Sequence, residues 1–372
     1  MIPKYYEFLN RIKILSGFQA LENIPHELKE RGSSHPMLIM EKEAEEQGLL
    51  KNFLAAIDDP ELIIGSICFS APPITSEALE KTLSEFKSSA CDSIIAIGGE
   101  SSFELGRAVS FLLKQSTEDS ILLMDDACTG KNISSPFVIV PTGNSGLEIA
   151  GDPDIVVLDP RMAYNLAPRT IILYALDTIC HAIESFTCLQ KNPLSDAYAF
   201  SAINIVRENL ADAVKFPRKR AVRHALANAA LLSGIAMNNS HAGITHALAY
   251  ALEENSHVNH QEAVAIILPF CMKANMPKLD EYYGELLLPL KGPEIYADTP
   301  KPERGRKTVQ ALRNTLLEYH LKYDIPICLS GAGVKRSDFD NITTHCLKSS
   351  HLLFNSADIT EEAVQNILNM SF

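Results

Sequence analysis

Short continuous apolar runs alternate with helically spaced ones through the first 160 residues. Residues 36–40, 61–69, 93–97, 137–140 and 155–158 read as strands, and segments between them, such as 77–89, place apolar side chains three and four apart. Apolar strands alternating with helices predict a parallel sheet covered on both faces, a Rossmann-like layer arrangement. After Asp159-Pro160 the pattern changes. From Pro168 onward the periodicity is helical almost throughout, broken by prolines and by the polar segment 292–306. The pattern therefore predicts an α/β domain over residues 1–160 and an all-helical domain over 161–372.

The 372 residues, 46% of them hydrophobic, suffice for two ordinary cores. The longest apolar stretches, such as 263–272, fall far short of the roughly 20 residues that span a bilayer. Residues 1–16 show no apolar block followed by a small-residue cleavage site, so no secretory signal is expected. Eight cysteines are scattered without a CxxC pair, which favours reduced thiols in a cytoplasmic protein over a disulfide framework. With a net charge of −13 and no basic cluster larger than 215–223, neither nucleic acid nor an anionic membrane is an expected partner.

The chemistry begins with Asp177 and His181 in an otherwise helical run. Their i,i+4 spacing sets both side chains on one helix face, one turn apart, where they can grip one ion. His246 lies in a second helical stretch, and His260 follows 14 residues later, just before the apolar run 263–268. Three imidazoles and one carboxylate suit a divalent Fe or Zn ion, whereas Ca and Mg prefer oxygen donors. Spacing alone does not choose among the histidines. A lone helical His is more often a surface or core residue than a ligand, and His241 and His257 are as eligible as His246 and His260.

A resemblance makes that choice. The segment Asp177-x3-His181-Ala-Ile-Glu184 is similar to the D-A-x-x-H-A-I-E segment of the iron-containing alcohol dehydrogenases. Thr245-His246-Ala through His260-Gln-Glu-Ala-Val-Ala-Ile-Ile-Leu-Pro269 resembles their H-A-x-x-H…H-G-x-A-x-A-x-x-L-P segment with the same 14-residue gap. Residues 153–160, 192–197, 323–326 and 359–363 extend the resemblance along the chain. It implies a two-domain dehydroquinate synthase-like fold, with Asp177, His181, His246 and His260 as ligands of Fe2+ or Zn2+. It also implies a capacity to form homo-oligomers and metal-assisted hydride transfer between NAD(P) and a small alcohol or aldehyde. The family commonly has a further His four residues after the third ligand. Here that position is Tyr250, a candidate proton or hydrogen-bond donor to substrate, or simple lining of the site. The H-x-x-x-Y form resembles the branch that reduces phosphonoacetaldehyde, an anionic aldehyde, and also an octulosonate-oxidising branch.

The cofactor segment departs from the family pattern. Strand 93–97 runs into Gly98-Gly99-Glu100-Ser101 and then a helical pattern, an arrangement that can seat a pyrophosphate on a helix N-terminus. Any tight strand-to-helix turn can use two glycines. The family reads G-G-G-S-x-x-D-x-A-K here, so Glu100 replaces the third glycine, Glu104 the aspartate, Gly106 the alanine and Arg107 the lysine. A carboxylate at Glu100 would repel a pyrophosphate unless it points away or Arg107 compensates. The loop with Thr142 and Ser145 resembles P-T-T-A-G-T-G-S-E but is one residue shorter, and the hairpin that follows in the family is missing before Gly151. Glu41, after the strand 36–40, sits where the family often has an acidic residue, which would favour NAD(H) over NADP(H); an exposed charge is an equally good account of it. These departures also support an alternative, a metal-binding homologue with an impaired dinucleotide site and a non-redox role. A non-redox lyase of the wider superfamily is a third reading.

Overall fold

The computed structural model describes residues 3–71, 74–122, 135–143, 153–163 and 166–372, the side chains of 115–122 excepted. The chain divides into two compact units, one of residues 11–165 and one of residues 1–10 with 166–372. The described residues before Arg11 thus group with the helical unit, which a single break near residue 160 does not provide. Leu9 N–H donates to Asn239 Oδ1 at 2.6 Å, and the Phe8 ring stacks on Tyr198 at 5.7 Å, holding the segment to that unit.

The first unit contains a parallel sheet of β1 (Lys13–Ser16), β2 (Pro36–Glu41), β3 (Ser66–Ser70), β4 (Ser93–Gly98), β5 (Phe137–Pro141) and β6 (Ile155–Leu158). The spatial order is β1-β6-β5-β4-β2-β3. Strands β4, β5 and β6 are buried at every position, as continuous apolar runs covered on both faces should be. Helices α1 (Ile24–Glu30), α2 (Lys42–Glu46), α3 (Leu49–Ala56), α4 (Ser76–Ser88) and α5 (Glu100–Leu122) complete the described part of this unit. Thr75 opens α4 as a side-chain cap on Ala78 N–H.

One strand expectation needs correction, and one strand lies outside the apolar pattern. The run 61–69 is a strand only from Ser66. Its first half is a packed loop, held by Leu62 N–H on Asp59 O and by Ile63 N–H on Ser34 O. Strand β1 has no clear apolar signature because it is an exposed edge, placed by pairing with β6, Lys13 opposite Ile155, by the Lys13–Glu27 ion pair and by Leu15 packing on the core.

The second unit is helical: α6 (Pro168–Thr187), α7 (Pro193–Lys215), α8 (Arg220–Asn238), α9 (Ile244–Ser256), α10 (His260–Lys291), α11 (Pro293–Asp298), α12 (Arg304–Tyr323), α13 (Phe339–Lys348) and α14 (Glu361–Ser371). Helix α6 is buried on all sides from Ala175 to Thr187, so its polar residues lie inside a core built from Ile172, Ile183, Leu248 and Ile267. Prolines 269, 277 and 289 do not break α10, which runs 32 residues through them. Burial of Pro269 and Pro289 against the neighbouring helices outweighs the backbone hydrogen bonds they remove. The polar segment 292–306 is itself largely helical, containing α11 and the start of α12.

Candidate metal centre

Residues 177, 181 and 184 fall at i, i+4 and i+7 on α6, so Asp177, His181 and Glu184 share one face of a helix that has no solvent side. Helix α9 brings His246 against that face. One donor atom each from Asp177, His181 and His246 lies within 4.8 Å of the others, and all three residues are buried. The rings of His181 and His246 stack at 4.4 Å, and His181 Nε2 is 3.9 Å from Asp177 Oδ1. Asp177 Oδ1 and His246 Nε2 make no hydrogen bond within the protein. A buried carboxylate oxygen and a buried imidazole nitrogen left in this state are costly unless a cation lies between them. The nitrogen and oxygen donor set fits iron or zinc.

His260, the first residue of α10, stands beside this triad, its ring 5.8 Å from that of His246 and its Nδ1 3.5 Å from Glu253 Oε2. The four expected positions therefore converge as a close triad with an adjoining imidazole. His241 and His257 do not join them. His241 is exposed and stacks on Phe354 at 3.7 Å, while His257 is exposed and ends α9 with a left-handed φ of 55°.

Glu184 has a role that sequence reading did not assign, although its spacing on α6 was visible. Its carboxylate accepts Gly243 N–H at 2.7 Å, Thr245 N–H at 2.6 Å and a contact from His246 Nδ1 at 2.6 Å. It thus satisfies amides at the start of α9 and fixes the His246 ring with Nε2 directed away from it. Burial alone would push this carboxyl up. Hydrogen bonds and charge from His246, with Gly243 and Thr245, overcome that and bring it down to about 2. A Cβ at Gly243 would come within 2.8 Å of Asn355 Oδ1 and 3.2 Å of Glu184 Oε1, so a glycine makes this approach possible.

Cys180, Glu184 and His246 form a second close group. Burial holds the Cys180 thiol far above its ordinary value, and both Glu184 oxygens already accept amide hydrogen bonds. With both oxygens engaged in this way, Glu184 serves this group by orienting His246.

Tyr250 lies one turn after His246 on α9, its ring 4.5 Å from His260 and stacked at 5.8 Å on His351. His351 comes from the short 3-10 segment Ser350–Phe354, and no spacing in the sequence links it to α9.

In the sheet unit, register gathers the cofactor candidates. Met40 pairs with Ile97 and Gly98 with Pro141, so Glu41, Gly98 and Thr142 meet at the carboxyl ends of β2, β4 and β5. Gly98 has φ +143°, and a Cβ there would lie 2.8 Å from Ser102 Oγ and 3.1 Å from the Glu41 carboxyl. Ser101 Oγ donates to Glu41 Oε1 at 2.9 Å, and Thr142 N–H donates to Gly98 O at 3.0 Å. Gly99 leads into α5, whose first residue is the exposed Glu100, a carboxylate that itself stabilises the helix N-terminus. Ser145 lies outside the described residues, as do most of the shortened threonine loop and the place of the expected hairpin.

Comparison with known proteins identifies the family. Residues 12–150 match the family model for iron-containing alcohol dehydrogenase, and residues 171–372 match that for the Fe-containing alcohol dehydrogenase family, C-terminal. Alcohol dehydrogenase 4 of Saccharomyces cerevisiae is 25% identical over 377 residues, covering 96% of each chain. A sulfoacetaldehyde reductase of Bilophila wadsworthia is 24% identical over 363 residues, covering 92% of this chain and 93% of its own. The fold is similar to that of sulfoacetaldehyde reductase from Bifidobacterium kashiwanohense in complex with NAD+, with a TM-score of 0.79, 17% identity and 99% coverage of both chains. The chain belongs to the iron-containing alcohol dehydrogenase family and is an oxidoreductase of the alcohol and aldehyde class.

Proposed function

We propose that this protein interconverts a small alcohol and its aldehyde with NAD(H), at a divalent iron or zinc ion held by Asp177, His181, His246 and His260. The observation that carries the reading is the buried convergence of three donors, two of them with an atom that has no hydrogen bond in the protein. A divalent ion in that place supplies Lewis acidity, which stabilises negative charge developing on a substrate oxygen. Glu184 keeps the His246 ring in the orientation that exposes Nε2 to the site. The Tyr250 phenol, beside His260, donates a hydrogen bond or a proton to the reacting oxygen.

Glu41, Gly98, Gly99, Ser101 and Thr142 form the proposed dinucleotide seat, at the strand ends and helix N-terminus where such cofactors bind. The Glu41 carboxylate disfavours a 2′-phosphate there and supports NAD(H) over NADP(H). A sulfoacetaldehyde reductase among the relatives supports an aldehyde with an anionic tail. His351, stacked on Tyr250, is then a donor to that tail. The test is a titration of metal-loaded protein with NADH and NADPH by nicotinamide fluorescence, followed by turnover of neutral and anionic aldehydes. Saturable binding that is tighter for NADH, with turnover, supports the reading. No binding of either nucleotide would refute this dinucleotide seat and NAD(H) as the cofactor.

A further inference from the structure

The start of α9 carries His246, yet its capping residue, Gly243, offers no side chain to the first-turn amides. Glu184 serves Gly243 and Thr245. The amide between them, Ile244 N–H, donates instead to Asn355 Oδ1 at 3.3 Å, from a residue 111 positions away. Asn355 is buried and its own amide group is fully engaged. Its Nδ2 donates to Ala357 O at 2.7 Å and to Asn275 Oδ1 at 3.3 Å, and Asn275 Nδ2 returns a hydrogen bond to Asn355 Oδ1 at 3.2 Å. These bonds fix which end of each amide is the acceptor.

The same short segment is fastened to the end of α6. Leu189 N–H donates to Phe354 O at 2.9 Å, and Ser356 Oγ donates to Thr187 O. Helix α6 bears Asp177, His181 and Glu184, α9 bears His246, and α10 bears both His260 and Asn275. A single asparagine thus stands where the three helices that carry the donor residues are joined. A small cavity of about 10 Å³ lies beside it, lined among others by Glu184, Gly243, Thr245, Asn275, Tyr283 and Asn355. It is polar and close to the size of one water molecule.

We propose that Asn355, oriented by Asn275, is a positioning residue for the metal centre: it sets α9 against α6 so that His246 Nε2 meets Asp177 and His181. The Asn355 side chain bonds to Ile244 N–H, Asn275 and Ala357 O, and it acts through the Ile244 amide and, by its neighbours Phe354 and Ser356, the α6 terminus. The inference rests on the metal-centre reading above. Loss of partners behind metal ligands typically lowers metal affinity on the order of 10- to 100-fold.

The experiment measures Zn2+ and Co2+ affinity of the full chain by chelator competition, for wild type, His246→Ala, Asn355→Ala and Asn275→Ala. The Co2+ visible spectrum and the thermal midpoint of each metal-free protein are recorded alongside. Asn355→Ala is expected to bind metal roughly 10- to 100-fold more weakly with an altered Co2+ spectrum, and Asn275→Ala to show a smaller change of the same kind. Affinity within twofold of wild type and an unchanged spectrum, with only a lowered midpoint, would overturn the proposal and leave Asn355 a structural residue. If Asn355→Ala does not fold, the same criteria apply to Asn275→Ala. Wild type that binds no metal, or binds it equally well after His246→Ala, would instead refute the metal-centre reading itself.

Discussion

Removing one imidazole from a buried donor group takes away a bond that no water at the surface can replace. His246→Ala and His260→Ala are therefore expected to lower bound metal at least about tenfold by elemental analysis. His241→Ala and His257→Ala should leave it unchanged, because those side chains lie on Phe354 and at the exposed end of α9. Equal loss in all four would refute the ligand choice. At the proposed cofactor seat, Glu100 sets a carboxylate at the N-terminus of α5, where a pyrophosphate would lie on that reading. An exposed like-charge contact of this kind is worth about 1 kcal/mol. Glu100→Gly should accordingly tighten NADH roughly fivefold in a fluorescence titration, and an unchanged affinity would mean that the side chain points away.

Between elements, close approach explains one departure from the family pattern. A Cβ at Gly106 would lie 2.8 Å from Phe137 Cε2 and 3.3 Å from Ala96 Cβ, so the aromatic ring on β5 fills the space an alanine on α5 would need. Gly106→Ala is expected to destabilise the protein by about 1–3 kcal/mol in urea unfolding. Adding Phe137→Leu should recover much of that loss, and independent effects of the two substitutions would exclude the explanation. Asp92, just before β4, binds the loop entering β2 through Ser33 Oγ at 2.6 Å, Ser34 N–H at 2.8 Å and His35 N–H at 3.0 Å. Burial works to raise its pKa, but these hydrogen bonds, with that from Ser93, hold it below the ordinary value. A lowered carboxyl pKa gives stability that is present above the unfolded-state value near 4 and is lost as pH falls through the folded value. The stability difference between wild type and Asp92→Asn, about 1 kcal/mol at pH 7, should therefore shrink between pH 5 and pH 3. A difference constant over that range would show that the charge contributes nothing.

Over the whole molecule, an ion bound to the folded donor group and not to the unfolded chain should stabilise the fold by mass action, by about 2.7 kcal/mol at a hundred times its dissociation constant. Chelator-treated protein should unfold at a lower temperature, and Zn2+ or Fe2+ should restore the midpoint in wild type but not in His246→Ala. No shift in wild type would count against a structured metal centre. The sequence by itself determined the layer pattern, because β2, β4, β5 and β6 are buried along nearly their whole length and therefore read as apolar runs, and periodicity records burial. It also placed Asp177, His181 and Glu184 on one face, since helical spacing is local. Three-dimensional packing decided the rest. Edge strand β1 shows no pattern because its residues are mostly exposed, and its place is set by pairing with β6 and by contacts of Lys13 and Leu15 with distant residues. Histidines 241, 246, 257 and 260 are alike as letters, and family resemblance was needed to choose among them before packing put two of them inside. Glu184, Asn355 and His351 act across 62, 111 and 101 residues of chain, on His246, Ile244 and Tyr250. Contacts at such separations leave no periodic trace, because they are fixed by how helices pack and not by how any one of them is spaced.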